Sequence, residues 1–369
     1  MKADVEIRGT EMCCLLHIDL LYIVVITIKI FGGDQMKRRT CQGWSAKLLA
    51  VILVALVVGC GNDRGAKPTQ TWGAFETIRA SIQTWLSEAG NDSPIISSLD
   101  LKEKIVDDWD NQKGYYQIVS VRKPDDYDSA GHIPNAINSY WVDIVTDGSL
   151  ARLDSSRTLI LYCYYGHGSM LSCTILSLLG YRCKSLDFGM MDWNLDALLK
   201  KPWDLQADYE VEQVVNRSKE SYPAPVLTSD QTDAQSIVKE IAIKYLSGEG
   251  SPVILSSDVK AIIDDWDHRK VEYQIVDVRS QIDYEAGHVP HSINIVWAKI
   301  AEIENLRRLD PNRTIIVCSE NGQTGQLAST VLSLLDYRAV NMLFGMLDWN
   351  KAYVDKSDQW DGMADYPVE

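Results

Sequence analysis

The chain has 369 residues, 46% hydrophobic and 24% charged, with a net charge of −15. That length holds two cores of ordinary size, and the composition is globular, not disordered. Residues 1–59 carry seven Lys/Arg and five Asp/Glu, so the remainder is near −17. No basic face is on offer to nucleic acid, and an anion gains nothing from the far field, so any anion site must be built locally.

Residues 1–35 contain an apolar run, Leu15 to Phe31, broken by His17, Asp19 and Lys29. We read them as an extension ahead of a true start at Met36; the alternative, a membrane segment, is made costly by those charges. Met36-Lys-Arg-Arg39 followed by the apolar Leu48 to Val58 reads as a secretory signal over 36–59. Its end, Val57-Val-Gly-Cys60, resembles a bacterial lipobox. The resemblance implies cleavage before Cys60, a lipid on its sulfur, and an exported protein held to the membrane by that lipid alone. Gly61 stands where an Asp would retain such a protein at the inner membrane, which points to the outer membrane or cell surface, facing the periplasm or exterior. The alternative is a plain membrane anchor in which Cys60 is incidental. Residues 60–73 are small and polar, a tether.

Beyond the tether the chain says the same thing twice. Tyr116-Gln-Ile-Val-Ser-Val-Arg122 returns as Tyr273-Gln-Ile-Val-Asp-Val-Arg279, Gly131-His-Ile-Pro134 as Gly287-His-Val-Pro290, and Phe188-Gly-Met-Met-Asp-Trp-Asn194 as Phe344-Gly-Met-Leu-Asp-Trp-Asn350. The period is that of a small domain, not of a solenoid unit. The first copy, 74–205, opens with a helical stretch from Ala74 to Leu86, breaks at Ser93-Pro94, and continues with a second helical pattern ending in Asp107-Asp-Trp109. Short apolar runs follow at Ile118 to Val121, Ala136 to Ser139, Thr158 to Cys163 and Arg182 to Leu186, with a helix over Met170 to Leu179. Runs without strict alternation, spaced by helices, predict an α/β fold whose parallel sheet is covered on both faces. Residues 206–231 are polar, with Pro223 and Pro225, and read as a linker; the second copy, 232–369, repeats the order from a helix over Thr232 to Leu246.

The chemistry is expected at the end of the strand beginning at Thr158. It runs into Cys163-Tyr-Tyr-Gly-His-Gly-Ser169 and then a helix. A cysteine at the carboxyl end of a buried parallel strand, before a glycine-containing loop, sits where such sheets bind ligands. Loop amides and a helix N-terminus cradle an anion there and favour a thiolate nucleophile.

In order, Val121-Arg122, Asp126-Tyr127, Gly131-His-Ile-Pro134, the Cys163 loop, Gly180-Tyr181 and Phe188-Gly-Met-Met-Asp-Trp193 resemble a rhodanese domain, and both copies show the set, over roughly 95–200 and 252–355. The resemblance implies two tandem rhodanese-like domains and sulfurtransfer through a persulfide. A small sulfur-containing anion such as thiosulfate or mercaptopyruvate gives its sulfane sulfur to Cys163, which passes it to a thiol or cyanide. The loop Tyr164, Tyr165, Gly166, His167, Gly168 and Ser169 would bind the donor, with Arg122 assisting. No cofactor is implied. Family loops usually carry an Arg five residues after the cysteine; here that position is Gly168, and His167 beside it is expected to supply a partial, pH-dependent positive charge. The missing Arg also speaks against phosphatase chemistry. Ser120 stands where the second copy has Asp277, which puts the polar network around Arg122 in question.

The second copy departs at the cysteine. A gapless alignment sets Ser319 opposite Cys163 and Cys318 opposite Tyr162, on the other face of the strand. It predicts a non-catalytic domain whose loop, with Gly322, Gln323 and Thr324, still offers backbone donors. A shift of one residue would restore Cys318 instead. The other cysteines of the two copies, Cys173 and Cys183, are either a pair or small buried residues. His132 and His288 are read as backbone-orienting, the recurring tryptophans as packing residues, and no cluster has metal spacing. The alternatives to sulfurtransfer are a pair of degenerate modules binding a partner or small anion at the envelope, and a redox carrier using Cys163 with Cys173 or Cys183.

Overall fold

A computed structural model describes residues 71–199, 203–218, 220–248, 252–362 and 364–369. The extension, the signal, Cys60 and most of the tether lie outside the described residues. Each copy is a five-stranded, wholly parallel sheet flanked by helices, so the chain carries two tandem α/β domains of one topology. In the first, the strands are β1 (Ile95–Ile96), β2 (Tyr116–Ser120), β3 (Ile137–Asn138), β4 (Thr158–Tyr162) and β5 (Arg182–Leu186), in the order β1-β5-β4-β2-β3. The second repeats it with β6 (Val253–Ile254), β7 (Tyr273–Asp277), β8 (Ile293–Asn294), β9 (Thr314–Cys318) and β10 (Ala339–Met342), in the order β6-β10-β9-β7-β8. The edge strands β1 and β6 span two residues each, directly after the Ser-Pro breaks, too short to show as apolar runs. The central strands β4 and β9 are buried over their last four residues, as strands covered on both faces must be.

Four long helices join the domains: α1 (Thr71–Ala89), α2 (His167–Leu178), α3 (Ala234–Leu246) and α4 (Gln323–Leu334). The helix that follows the loop in one domain, α2, packs on its counterpart α4, and α1 packs on α3. Their apolar faces merge into one core that draws residues from both sheets, among them Ile78, Leu161, Leu176, Val317, Leu327 and Val331. The domains therefore share buried surface, the dominant stabilising term.

The repeated Asp-Trp-Asn motif fastens each domain to the chain segment that follows the other. Trp193 and Trp349 are fully buried. The Trp349 indole donates to Glu210 O at 2.9 Å, and Asn350 Nδ2 donates to Tyr209 O and Asp208 Oδ1, both at 2.9 Å. The start of the linker is thus pinned to the second domain. Trp193 donates to Pro367 O at 3.0 Å, and Asn194 Nδ2 donates to Tyr366 O at 2.8 Å and Asp365 Oδ1 at 3.0 Å. Residues 364–369, grouped by composition with the second domain, thus lie on the first, and the extension that follows each domain is clamped to the other.

Candidate functional site

The strand register sets the nucleophile position. Ser120 pairs with Tyr162 in β2–β4, and Asp277 pairs with Cys318 in β7–β9. Cys163 and Ser319 are therefore equivalent, each the first residue beyond its strand. Gly166 N–H donates to Cys163 Sγ at 3.1 Å, and Gly322 N–H donates to Ser319 Oγ at 3.0 Å. Cys318 is fully buried with its sulfur 3.9 Å from Met342 Sδ, and burial pushes its thiol well up.

The loop is closed from below by the Phe-Gly-Met motif. Phe188 and Gly189 both have positive φ, and a Cβ on Gly189 would lie 2.5 Å from Cys163 O. That close approach lets Met190 N–H reach Cys163 O and Met191 N–H reach Tyr164 O, both at 3.0 Å. Gly166, with φ +90°, turns the loop into α2. Ser169 Oγ stands 3.7 Å from Cys163 Sγ and 2.8 Å from Gly166 O, so its proton is available to either.

Cys163 is only 6% exposed, yet it lines a cavity of about 270 Å³. Aromatic rings make much of the first-domain wall, including Trp141, Tyr164 and Tyr165, and the second domain closes the cavity with Val253, Leu343 and Gln326. A wider cleft of about 990 Å³, lined by Tyr127, Tyr140 and Arg152 among others, holds no cysteine or histidine. The smaller cavity is therefore the candidate site.

Two residues expected to contribute are engaged by other contacts. Arg122 is fully buried and gives its guanidinium to Gly131 O at 2.6 Å, Ala197 O at 3.1 Å and Ser120 Oγ at 3.4 Å. It ties β2 to the Gly-His-Ile-Pro turn and is not among the cavity-lining residues. His167 lines the cavity but does not supply the positive charge expected of it. Its ring is buried against the second domain, where Phe344 N–H donates to Nε2 at 3.4 Å, and burial pushes it down to about 4, leaving it neutral. Tyr164 hydrogen-bonds Asp126 and accepts from Lys123 N–H at 3.4 Å, which fixes one wall. Gly168 keeps the centre open: a Cβ there would stand 3.6 Å from Cys163 Sγ, an ordinary contact.

The cation at this site is one that sequence reasoning missed. Lys123 is exposed and is the one Lys or Arg among the cavity's lining residues. Its signal was adjacency to Arg122 at the strand end, where the second copy has Ser280. The second loop differs in charge as well as nucleophile. Glu320 replaces Tyr164, and burial pushes its carboxyl up to about 7. The Gly-His turns are structural: His132 stacks on Tyr127 at 3.9 Å, and His288 stacks on Tyr284 at 3.8 Å with Nδ1 on Tyr284 O. Cys173 and Cys183 are free thiols. Among the described residues no group of three or more His, Cys, Asp or Glu is arranged to hold a metal ion.

This architecture, a doubled parallel sheet with a cysteine loop at the end of its central strand, defines a class. A family model of the rhodanese-like domain matches residues 100–196 and 256–352, more than half of the chain, and the chain belongs to that family. Among solved structures it resembles a rhodanese-related protein from Thermoplasma volcanium, at 22% identity and TM-score 0.24, covering 28% of this chain and 94% of that one. It also resembles a thiosulfate sulfurtransferase from Pseudomonas aeruginosa, at 15% identity and TM-score 0.27, covering 79% of this chain and 49% of that one. No curated protein matches the chain.

Proposed function

We propose that this protein is a sulfurtransferase working through a Cys163 persulfide, exported and held to the membrane by a lipid on Cys60, with a non-catalytic second domain. The observation that carries the reading is Cys163 Sγ at the end of β4. It accepts Gly166 N–H at 3.1 Å at the head of the 12-residue α2 and opens into a cavity, while the equivalent Ser319 has no thiol. The amide and the helix N-terminus solvate negative charge on the sulfur. The thiolate attacks the outer sulfur of the donor. A bond forms between Sγ and that sulfur while the donor's own bond to it breaks, S–S in thiosulfate or C–S in mercaptopyruvate, and the electron pair leaves with sulfite or with the enolate of pyruvate. A thiolate or cyanide acceptor then takes the outer sulfur and returns Cys163 as thiolate, with no net oxidation.

A second reading, a binding module for a small anion, draws on Gly168: the loop has no charged residue, and only the exposed Lys123 faces the cavity. Intact mass on the full-length protein in detergent separates the two. After incubation with thiosulfate or mercaptopyruvate, one added sulfur is expected, lost in Cys163→Ser and kept in Cys318→Ser. No adduct on folded protein with a free Cys163 thiol would favour the binding module. The same spectrum is expected to show a chain beginning at a lipidated Cys60; an unmodified Cys60 would sink the anchor.

A further inference from the structure

Gln326 is the polar side chain that the second domain contributes to the Cys163 cavity. It lies on α4 and is fully buried. Its Nε2 is anchored on its own helix, 3.4 Å from Ser329 Oγ and 3.3 Å from Thr330 Oγ1. Its Oε1 has no hydrogen-bond partner among the described residues. A buried amide oxygen left without a partner is costly. The equivalent residue of the first domain is Met170, so the helix itself does not require an amide here. The rest of the second-domain wall, Val253 and Leu343 included, is apolar.

We infer that Gln326 is a substrate-positioning residue whose Oε1 accepts a hydrogen bond from the sulfur donor, and that the donor is an organic persulfide carrying an N–H group next to an apolar body. This rests on the sulfurtransferase reading of Cys163. Thiosulfate offers oxygens that only accept, so it leaves Oε1 unpaired and places charge against apolar walls. An amide-bearing persulfide, R–S–SH, satisfies both. Cys163 thiolate attacks its outer sulfur, the Sγ–S bond forms, the donor's S–S bond breaks, RS⁻ departs with the electron pair, and the proton stays on the transferred sulfur.

An isosteric pair of donors tests this on the full-length protein: the hydropersulfide of N-acetylcysteamine, with an amide N–H, and that of 2-mercaptoethyl acetate, with an ester oxygen in its place. Sulfur loading of Cys163 is expected to favour the amide on the order of fivefold in kcat/KM, the worth of one neutral hydrogen bond. Gln326→Met should bring the ratio to unity, and Gln326→Glu, which keeps an acceptor, should retain the preference. The rate of Cys163 modification by methyl methanethiosulfonate, which has no N–H or O–H, should be unchanged in both variants. A wild-type ratio near one, or a ratio that Gln326→Met leaves alone, overturns the role of Gln326 while sulfurtransfer stands. An equal loss with both donors and with methyl methanethiosulfonate marks the residue as structural and overturns it too. Sulfur loading from neither persulfide while thiosulfate or mercaptopyruvate still loads Cys163 overturns this inference alone; no loading from any of these donors on a reactive Cys163 overturns the sulfurtransferase reading and this inference with it.

Discussion

Alanine in place of Gly166 is expected to destabilise the protein by about 3 kcal/mol. Gly166 has φ +90°, where an L-residue costs about 1–2 kcal/mol. A Cβ there would also lie 1.8 Å from Gln323 Nε2 of the second domain, so the side chain or the loop must move. The arrangement is reciprocal: Gln323 reaches onto the first loop at Gly166, and His167 reaches onto the second at Gly322, where a Cβ would meet its Nε2 at 2.3 Å. Both amide atoms of Gln323 lack partners among the described residues, so Gln323→Ala alone should cost little. In a double-mutant cycle read by urea denaturation, Gln323→Ala should recover about 1–2 kcal/mol of the Gly166→Ala loss, leaving the backbone strain. Additive effects would mean that the two loops do not meet in this way. Because Gly166 N–H holds the Cys163 sulfur, Gly166→Ala should also slow alkylation of Cys163, a readout the Gly322→Ala variant should not share.

The second large effect concerns a buried cation that the two domains treat differently. In the second domain Arg279 Nη2 is 2.7 Å from Asp277 Oδ2, with both side chains inaccessible to water. Removing one partner of such a pair leaves an uncompensated charge and typically costs about 3–5 kcal/mol. Asp277→Ala is expected at the lower end, near ~3 kcal/mol, because Arg279 keeps Gly287 O at 2.7 Å and Tyr353 O at 3.2 Å. The first domain carries the comparison in its own sequence: Arg122 faces Ser120 Oγ at 3.4 Å and holds the matching carbonyls Gly131 O and Ala197 O. Backbone carbonyls thus hold the Arg122 guanidinium where the first domain has Ser120 and no carboxylate. Ser120→Asp should raise the urea midpoint, worth about 1–2 kcal/mol as a charge-assisted hydrogen bond. A loss of stability there would mean that the first domain has repacked around its serine.

Local features were legible because they depend on neighbours in the chain. The apolar runs gave the central strands, with β4 ending at Tyr162, one residue short of the expected Cys163. The helix expected from Met170 begins at His167, because glycine at 166 turns the chain directly into it. The doubled motifs gave two domains, and the gapless register that set Ser319 opposite Cys163 has its counterpart in the paired strands, since two parallel ladders of the same length place the same residue at the strand end.

What depends on how the folded chain packs was out of reach. Arg122 looks like a ligand residue in sequence and is spent on Gly131 and Ala197 carbonyls in the fold. His167 looks like a cation and is neutral, because the second domain buries it. Gln326, Val253 and Leu343 carry no mark of belonging to the cavity of the other domain. Backbone periodicity and hydrogen-bonded ladders run along the chain, and they fix the α/β class, the repeat and a cysteine at a strand end. Which side chains reach that cysteine, and which charges survive beside it, follow from burial and partnership across the domain junction, and those are set by packing, not by spacing along the chain.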